Sequence, residues 1–353
     1  MLAILCFAIG VIRAEAAFTS LYVYGDSLSC TTTNPGAGSL YYGNRYSNGR
    51  VWVEVLAQQQ GLTLFSSNNI SYFGNTSTSL LAQANAFIAP PDVNSALVVV
   101  WVNNADLYYP SLDPSPTLTK FTAAINQAQT NHFKAITNFY AKGVRSLIMP
   151  NVVDISTIPQ FNTYTAQTNL FHQASVNYNI AFNATIERAR TNCPGLLIYV
   201  PDFYSLLANI LAYASTFGLT NTLGNGRSIS AIDSVNYGLP QASINGYGTN
   251  YIFWDPTDPT AKVHNWMASL AQQLIAPVKI GQVTAISGSN LLQVLNVPVG
   301  QNGLVLGRGD LSLGNWTTST SFSSTNTSQS IVVPASGSQQ FYQLSFPVVW
   351  TWP

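Results

Sequence analysis

Residues 24–29 read Tyr-Gly-Asp-Ser-Leu-Ser and close an aromatic and β-branched run, FTSLYVYG, at residues 18–25. A serine on a tight turn between strand and helix stands at the carboxyl edge of a sheet, where ligands bind in open α/β folds, and its amide can donate to an oxyanion. By itself Gly25-Asp26-Ser27 fits either such a site or an ordinary helix N-cap. A serine hydroxyl attacks a carbonyl only when a base takes its proton, and an imidazole oriented by a carboxylate is the usual base. The chain has three histidines. His132 and His172 fall within long helical patterns and read as helix-face residues. His264 ends the stretch FWDPTDPTAKVH at 253–264, which also carries Asp255 and Asp258.

These residues need a scaffold, and the chain alternates two kinds of segment. Short Val/Ile/Tyr-rich runs at 18–25, 96–102, 144–151, 196–202 and the YIFW at 251–254 read as strands. Long periodic segments between them, such as 117–143 and 171–190, read as helices. Strands alternating with helices imply crossover units and a parallel sheet covered on both faces, a three-layer α/β sandwich over residues 17–277. After Pro277 no helical pattern remains and turn residues recur every eight to twelve positions. Residues 278–353 are expected to form a small all-β, sandwich-like module.

The chain resembles the GDSL (SGNH) esterases and lipases from about residue 20 to 275. Gly25-Asp26-Ser27-Leu28 is similar to the family's first block. Ser47-Asn48-Gly49-Arg50-Val51-Trp52 resembles the helix entry of its lipase-like members, and Gly74 in Tyr72-Phe73-Gly74-Asn75 stands where its second block has a glycine. Asn151-Val152-Val153-Asp154 is similar to a later turn, and Phe253-Trp254-Asp255 to the opening of its last block. The resemblance implies a flavodoxin-like strand order and an ester hydrolase with Ser27 as nucleophile. It further implies an oxyanion hole of the Ser27 amide, the Gly74 amide and an asparagine side chain, and an Asp-x-x-His pair as orienter and base. No cofactor is implied.

Two blocks depart from this pattern. The third reads Trp101-Val102-Asn103-Asn104-Ala105-Asp106, with Asn103 at the family's glycine and Ala105 at its asparagine, so Asn103 or Asn104 could donate only from a rearranged loop, and Asn104, one position early, is the expected oxyanion donor. In the last, Asp258 stands at the family's histidine. With an unperturbed pKa of about 3.9, an aspartate is a weak base at neutral pH. Asp258-Pro259-Thr260 reads instead as an N-cap followed by proline at the first helical position. His264, with Asp255 as orienter, is then the expected base. Two functional readings stay open: an ester hydrolase, and a catalytically weakened protein on the same fold that binds a lipid or glycan.

Composition narrows the partners. Charged residues are 7% of the 353 and the net charge is zero, which excludes a phosphate-neutralising surface and nucleic acid as partner. The apolar start MLAILCFAIGVI is too short to span a bilayer, and Ala14-Glu15-Ala16 offers small-x-small spacing, so residues 1–16 read as a signal peptide and the protein as secreted, periplasmic or surface-bound. The expected ligand is a small-molecule or lipid ester, and the β module is expected to bind a surface or polysaccharide. No metal-ligand spacing occurs. Cys30 and Cys193 are expected as buried free thiols. Arg308-Gly309-Asp310 and five Asn-x-Ser/Thr sequons are short matches with no assigned role. The Gly/Asn-rich connection 221–250, with Tyr108, Tyr109 and Phe161, is a candidate pocket wall.

Overall fold

The computed structural model describes residues 18–221, 228–335, 337 and 339–347. The leader expected at 1–16 lies outside them, as do residues 222–227 of the 221–250 connection. Four parallel strands, β1 (Leu21–Gly25), β2 (Leu97–Trp101), β3 (Ser146–Ile148) and β4 (Leu197–Tyr199), form one sheet in the order β1-β2-β3-β4. Their registers align Gly25 with Trp101, Val99 with Ile148, and Ile148 with Tyr199. The segments that follow these strands therefore emerge at one edge of the sheet.

Beyond β1, the Ile70 amide donates to the Val23 carbonyl at 3.1 Å and the Tyr72 amide to the Gly25 carbonyl at 3.3 Å. Residues 69–72 thus take the place of a strand on the outer side of β1, through an isolated parallel bridge from Val23 to Asn69. That gives the flavodoxin-like order with an irregular edge.

Between the strands run α1 (Trp52–Gln59), α2 (Ser77–Ala86), α3 (Asn103–Ser111), α4 (Leu118–Ala141), α5 (Pro159–Asn162), α6 (Thr168–Asn192), α7 (Phe203–Ala212) and α8 (Ala261–Ile275). One helical group packs α4 between α2 and α6, and another pairs α1 with α8. A single apolar core joins both groups to strands such as Leu97–Trp101, which are buried along their whole length.

The expected strand 251–254 is absent from this sheet. Phe253 bridges Ser230 and Pro259. The Thr260 amide donates to the Ile252 carbonyl, the Ala231 amide to the Phe253 carbonyl, and the Trp254 amide to the Asp258 carbonyl. Those bonds tie the segment to residues 231 and 258–260 instead of to a strand of the sheet.

The C-terminal region holds two antiparallel three-stranded sheets. One orders β5 (Lys279–Ile286), β6 (Ser289–Leu295) and β9 (Ser328–Pro334). The other orders β10 (Phe341–Ser345), β7 (Asn302–Arg308) and β8 (Thr317–Ser323). Leu292, Val294, Val297, Val305, Ile331 and Val333 form a separate small core. Cys30 and Cys193 are buried and free.

Candidate active site

Ser27 opens a single helical turn, residues 27–29, directly beyond β1. The Asp26 amide extends the β1–β2 ladder to the Trp101 carbonyl at 3.0 Å, and its carboxylate oxygen Oδ1 accepts the Leu28 amide at 3.1 Å. Gly25 is required here because a Cβ would come within 2.6 Å of the Ser29 Cβ. The turn seats on Trp52, whose indole Nε1 donates to Ser29 Oγ at 3.0 Å.

Ser27 opens into a cleft of about 510 Å³, counted to its open mouth. Gly74, Asn104 and Thr257 line it beside Ser27, and Leu28, Phe73, Tyr108, Val153, Ile155 and Ile158 give it apolar walls. Gly74 adopts φ +78, and a Cβ there would collide with the Tyr109 hydroxyl. Neither the Ser27 nor the Gly74 amide donates to an acceptor among the described residues. Asn104 Oδ1 accepts the Val153 amide at 3.2 Å. Its Nδ2 forms no bond of good geometry but faces the Asp26 carboxyl, whose proton affinity it lowers. Asn103 points elsewhere, donating to the Pro150 carbonyl at 2.9 Å. Ser27, Gly74 and Asn104 are thus brought together. The 228–250 part of the Gly/Asn-rich connection does not line this cleft, and Phe161 is buried in the core.

The 255–258 turn forms the far side. Asp255 Oδ1 accepts the amides of Thr257 and Asp258 at 2.9 and 2.8 Å and the Thr257 hydroxyl at 3.1 Å, and Oδ2 accepts the Tyr41 hydroxyl at 3.0 Å. Asp258 is 1% exposed, and its Oδ2 lies 2.6 Å from Thr257 Oγ1. The Ser27 hydroxyl faces the Asp258 carboxyl and lowers its proton affinity, although Asp258 Oδ1 has no bond of strict geometry. Residues 40–48 clamp the turn: Trp254 Nε1 donates to the Leu40 carbonyl, Ser47 Oγ to the Pro259 carbonyl, and the Ala261 amide to Asn48 Oδ1.

Two expectations about this stretch fail. Asp258 is not a helix cap: α8 begins at Ala261, Thr260 is its N-cap, and the Asp258 carboxyl turns back toward Ser27. His264 is not brought to Ser27 or to Asp255. It is fully buried, neither ring nitrogen bonds a group of the described residues, and burial pushes its pKa down to about 3. With Met267, Ala268, Ala271 and Ile275 it forms the buried stripe of α8, a spacing visible in the sequence.

The electrostatics are acidic. Burial pushes Asp26 up to about 7, with the Asp106 charge adding to it. Burial raises Asp255 as well, opposed by its four donors, and raises Asp258 well above the ordinary carboxylate range, with Asp255 and Asp26 adding to the rise. Sequence reasoning missed Asp26, Thr257 and Tyr41 here; Tyr41 lies 214 positions from its partner and carried no local signal. His132 lies 3.0 Å from the Tyr178 hydroxyl inside the core, and His172 pairs with Asp154 at 2.6 Å near the surface. Among the described residues no cluster fits a metal ion, and no helix is long and apolar enough to cross a membrane.

A serine at the carboxyl end of the first strand of a three-layer α/β domain, facing free amides and a carboxamide, defines a serine-hydrolase-like class of site. The family model of GDSL-like lipases and acylhydrolases matches residues 21–271, and the chain belongs to that family. Among solved structures, it is similar to an acetylxylan esterase from Geobacillus stearothermophilus, at 13% identity and TM-score 0.43, covering 74% of this chain and 96% of that one. A lipase from a goat rumen metagenome matches at 14% and 0.42, covering 72% and 97%. An α/β hydrolase from the metagenome of Lake Arreo, Spain, matches at 15% and 0.40, covering 72% and 94%. No curated protein matches the chain.

Proposed function

We propose that the protein is an exported esterase or lipase in which Ser27 attacks the acyl carbonyl of a carboxylic ester. The observation that carries this is the convergence on one cleft of the Ser27 hydroxyl, the undonated amides of Ser27 and Gly74, and the Asn104 carboxamide. Such donors stabilise the oxyanion that forms as the carbonyl turns tetrahedral. The apolar walls suit the acyl chain, and the open mouth leaves the alcohol side to solvent. Asp255 shapes the turn that faces Ser27. The apolar start, read from its sequence as a leader over 1–16, supports export, and the β module, outside the matched segment, is read as binding a surface or polysaccharide.

The purified protein is to be assayed on p-nitrophenyl acetate and butyrate beside Ser27→Ala, with fluorophosphonate labelling in parallel. Hydrolysis and labelling are expected from the wild type and neither from the variant. A wild type no faster than Ser27→Ala overturns the proposal and leaves a ligand-binding protein on a hydrolase fold.

A further inference from the structure

The site holds a serine but presents it no imidazole. What faces the Ser27 hydroxyl is a carboxyl that is almost wholly buried, carries one oxygen without a partner, and is fixed on its other oxygen by Thr257. We infer that Asp258 is the catalytic group that takes the Ser27 proton, so that the chain runs a serine–carboxyl pair where its relatives' motif has histidine. This rests on the reading of Ser27 as nucleophile.

An ordinary aspartate is too weak a base for this work near neutral pH, because catalysis is best when the base's pKa lies near the operating pH. The surroundings of Asp258 correct that. The titratable groups acting on it are Asp26, Asp255, Cys30, Tyr41, Tyr46 and Tyr108, all acidic or neutral. None of these groups is a cation, and burial with the neighbouring carboxyls makes Asp258 a far stronger base than an exposed carboxylate.

Thr257 adjusts to the charge on Asp258. Its one hydroxyl hydrogen lies between Asp258 Oδ2 and Asp255 Oδ1 and can serve only one of them at a time. Once Asp258 takes the Ser27 proton on its other oxygen, Oδ2 loses its negative charge and the Thr257 hydroxyl can turn its hydrogen to Asp255 Oδ1. Asp255, already bound by two amides and Tyr41, keeps the negative charge.

The chemistry then balances. Ser27 Oγ bonds to the acyl carbon as its proton passes to Asp258, and the carbonyl π pair moves onto oxygen. Collapse breaks the bond to the alcohol oxygen, which leaves with the proton from Asp258. Water attacks the acyl-serine, gives a proton to Asp258, and the released Ser27 oxygen takes it back. The sum is ester plus water to acid plus alcohol.

The test compares wild type, Asp258→Asn, Asp258→His and His264→Leu on p-nitrophenyl butyrate across pH 4–10, with thermal melting of each. Asp258→Asn is expected to lower kcat/KM by about 10²- to 10⁴-fold, the usual contribution of a general base. The wild-type kcat/KM should rise with pH through an inflection well above the ordinary carboxylate range, and Asp258→His should move that inflection toward about 6.5. His264→Leu should keep both the rate and the inflection. Full activity in Asp258→Asn, or loss in a folded His264→Leu, overturns the assignment. Should Asp258→Asn fail to fold, a wild-type profile without that inflection overturns it. If the wild type is no faster than Ser27→Ala, the nucleophile reading has failed first.

Discussion

The Asn104 carboxamide is anchored by its oxygen, which accepts the Val153 amide at 3.2 Å and leaves Nδ2 in the Ser27 cleft. A neighbouring loop thus pins the donor from behind. A pinned donor loses little entropy when charge develops on the substrate, which is what an oxyanion site requires. Asn104→Ala should therefore lower kcat by about 10²- to 10³-fold, roughly 3 to 4 kcal/mol, with KM little changed. Steady-state kinetics on p-nitrophenyl butyrate decide this, and a loss smaller than threefold would remove Asn104 from the oxyanion site.

Gly74 is fixed by conformation and by space. Its φ of +78 is strained for any side chain, and an added Cβ would meet the Tyr109 hydroxyl. Gly74→Ala should displace its amide and depress kcat with a modest loss of stability. Adding Tyr109→Phe removes only the steric part, so the double variant should stay well below wild type. Full recovery in the double variant would mean that the collision, not the backbone, decides the position.

Much of this site was legible because its signals are local. Gly25-Asp26-Ser27 stands at a strand end, Gly74 follows its own short block, and Asn104 opens α3 after β2. What misled was segment 251–264. Its apolar YIFW has strand propensity, but its backbone bonds run to residues 231 and 258–260 instead of to the sheet. The start of α8 depends on Asn48, 213 positions away, which accepts the Ala261 amide. Long-range partners also set Asp255, through Tyr41. Propensity and spacing carry no information about such contacts, whereas the burial of His264 could have been read from its place in the apolar stripe of α8.

His264 itself has a measurable cost. Its imidazole is fully buried and neither nitrogen bonds a group of the described residues. His264→Leu should raise stability by about 1 to 3 kcal/mol, the usual penalty of an unsatisfied buried polar group. Urea titration at pH 7.5 measures it. A destabilised variant would show that the ring is hydrogen-bonded in solution.

The buried groups also set how stability follows pH. The His264 imidazole protonates near 6.5 in the unfolded chain but only near 3 in the fold, so its contribution is full above 6.5 and is lost as pH falls toward 3. Asp26 acts in the opposite sense. It ionises near 3.9 when unfolded and near 7 when folded, so its contribution is full below 3.9 and is lost as pH rises through 7. Asp255 and Asp258 are raised as well and add to the Asp26 trend. Three carboxyls outweigh one imidazole, and the protein should be more stable at pH 5 than at pH 8. Asp26→Asn keeps an oxygen for the Leu28 amide but cannot ionise, so its stability should fall less steeply over that range, by up to about 1.4 kcal/mol per pH unit. Urea unfolding of both proteins at fixed pH between 5 and 8 checks this. Parallel curves would mean that Asp26 ionises in the fold as it does in the open chain.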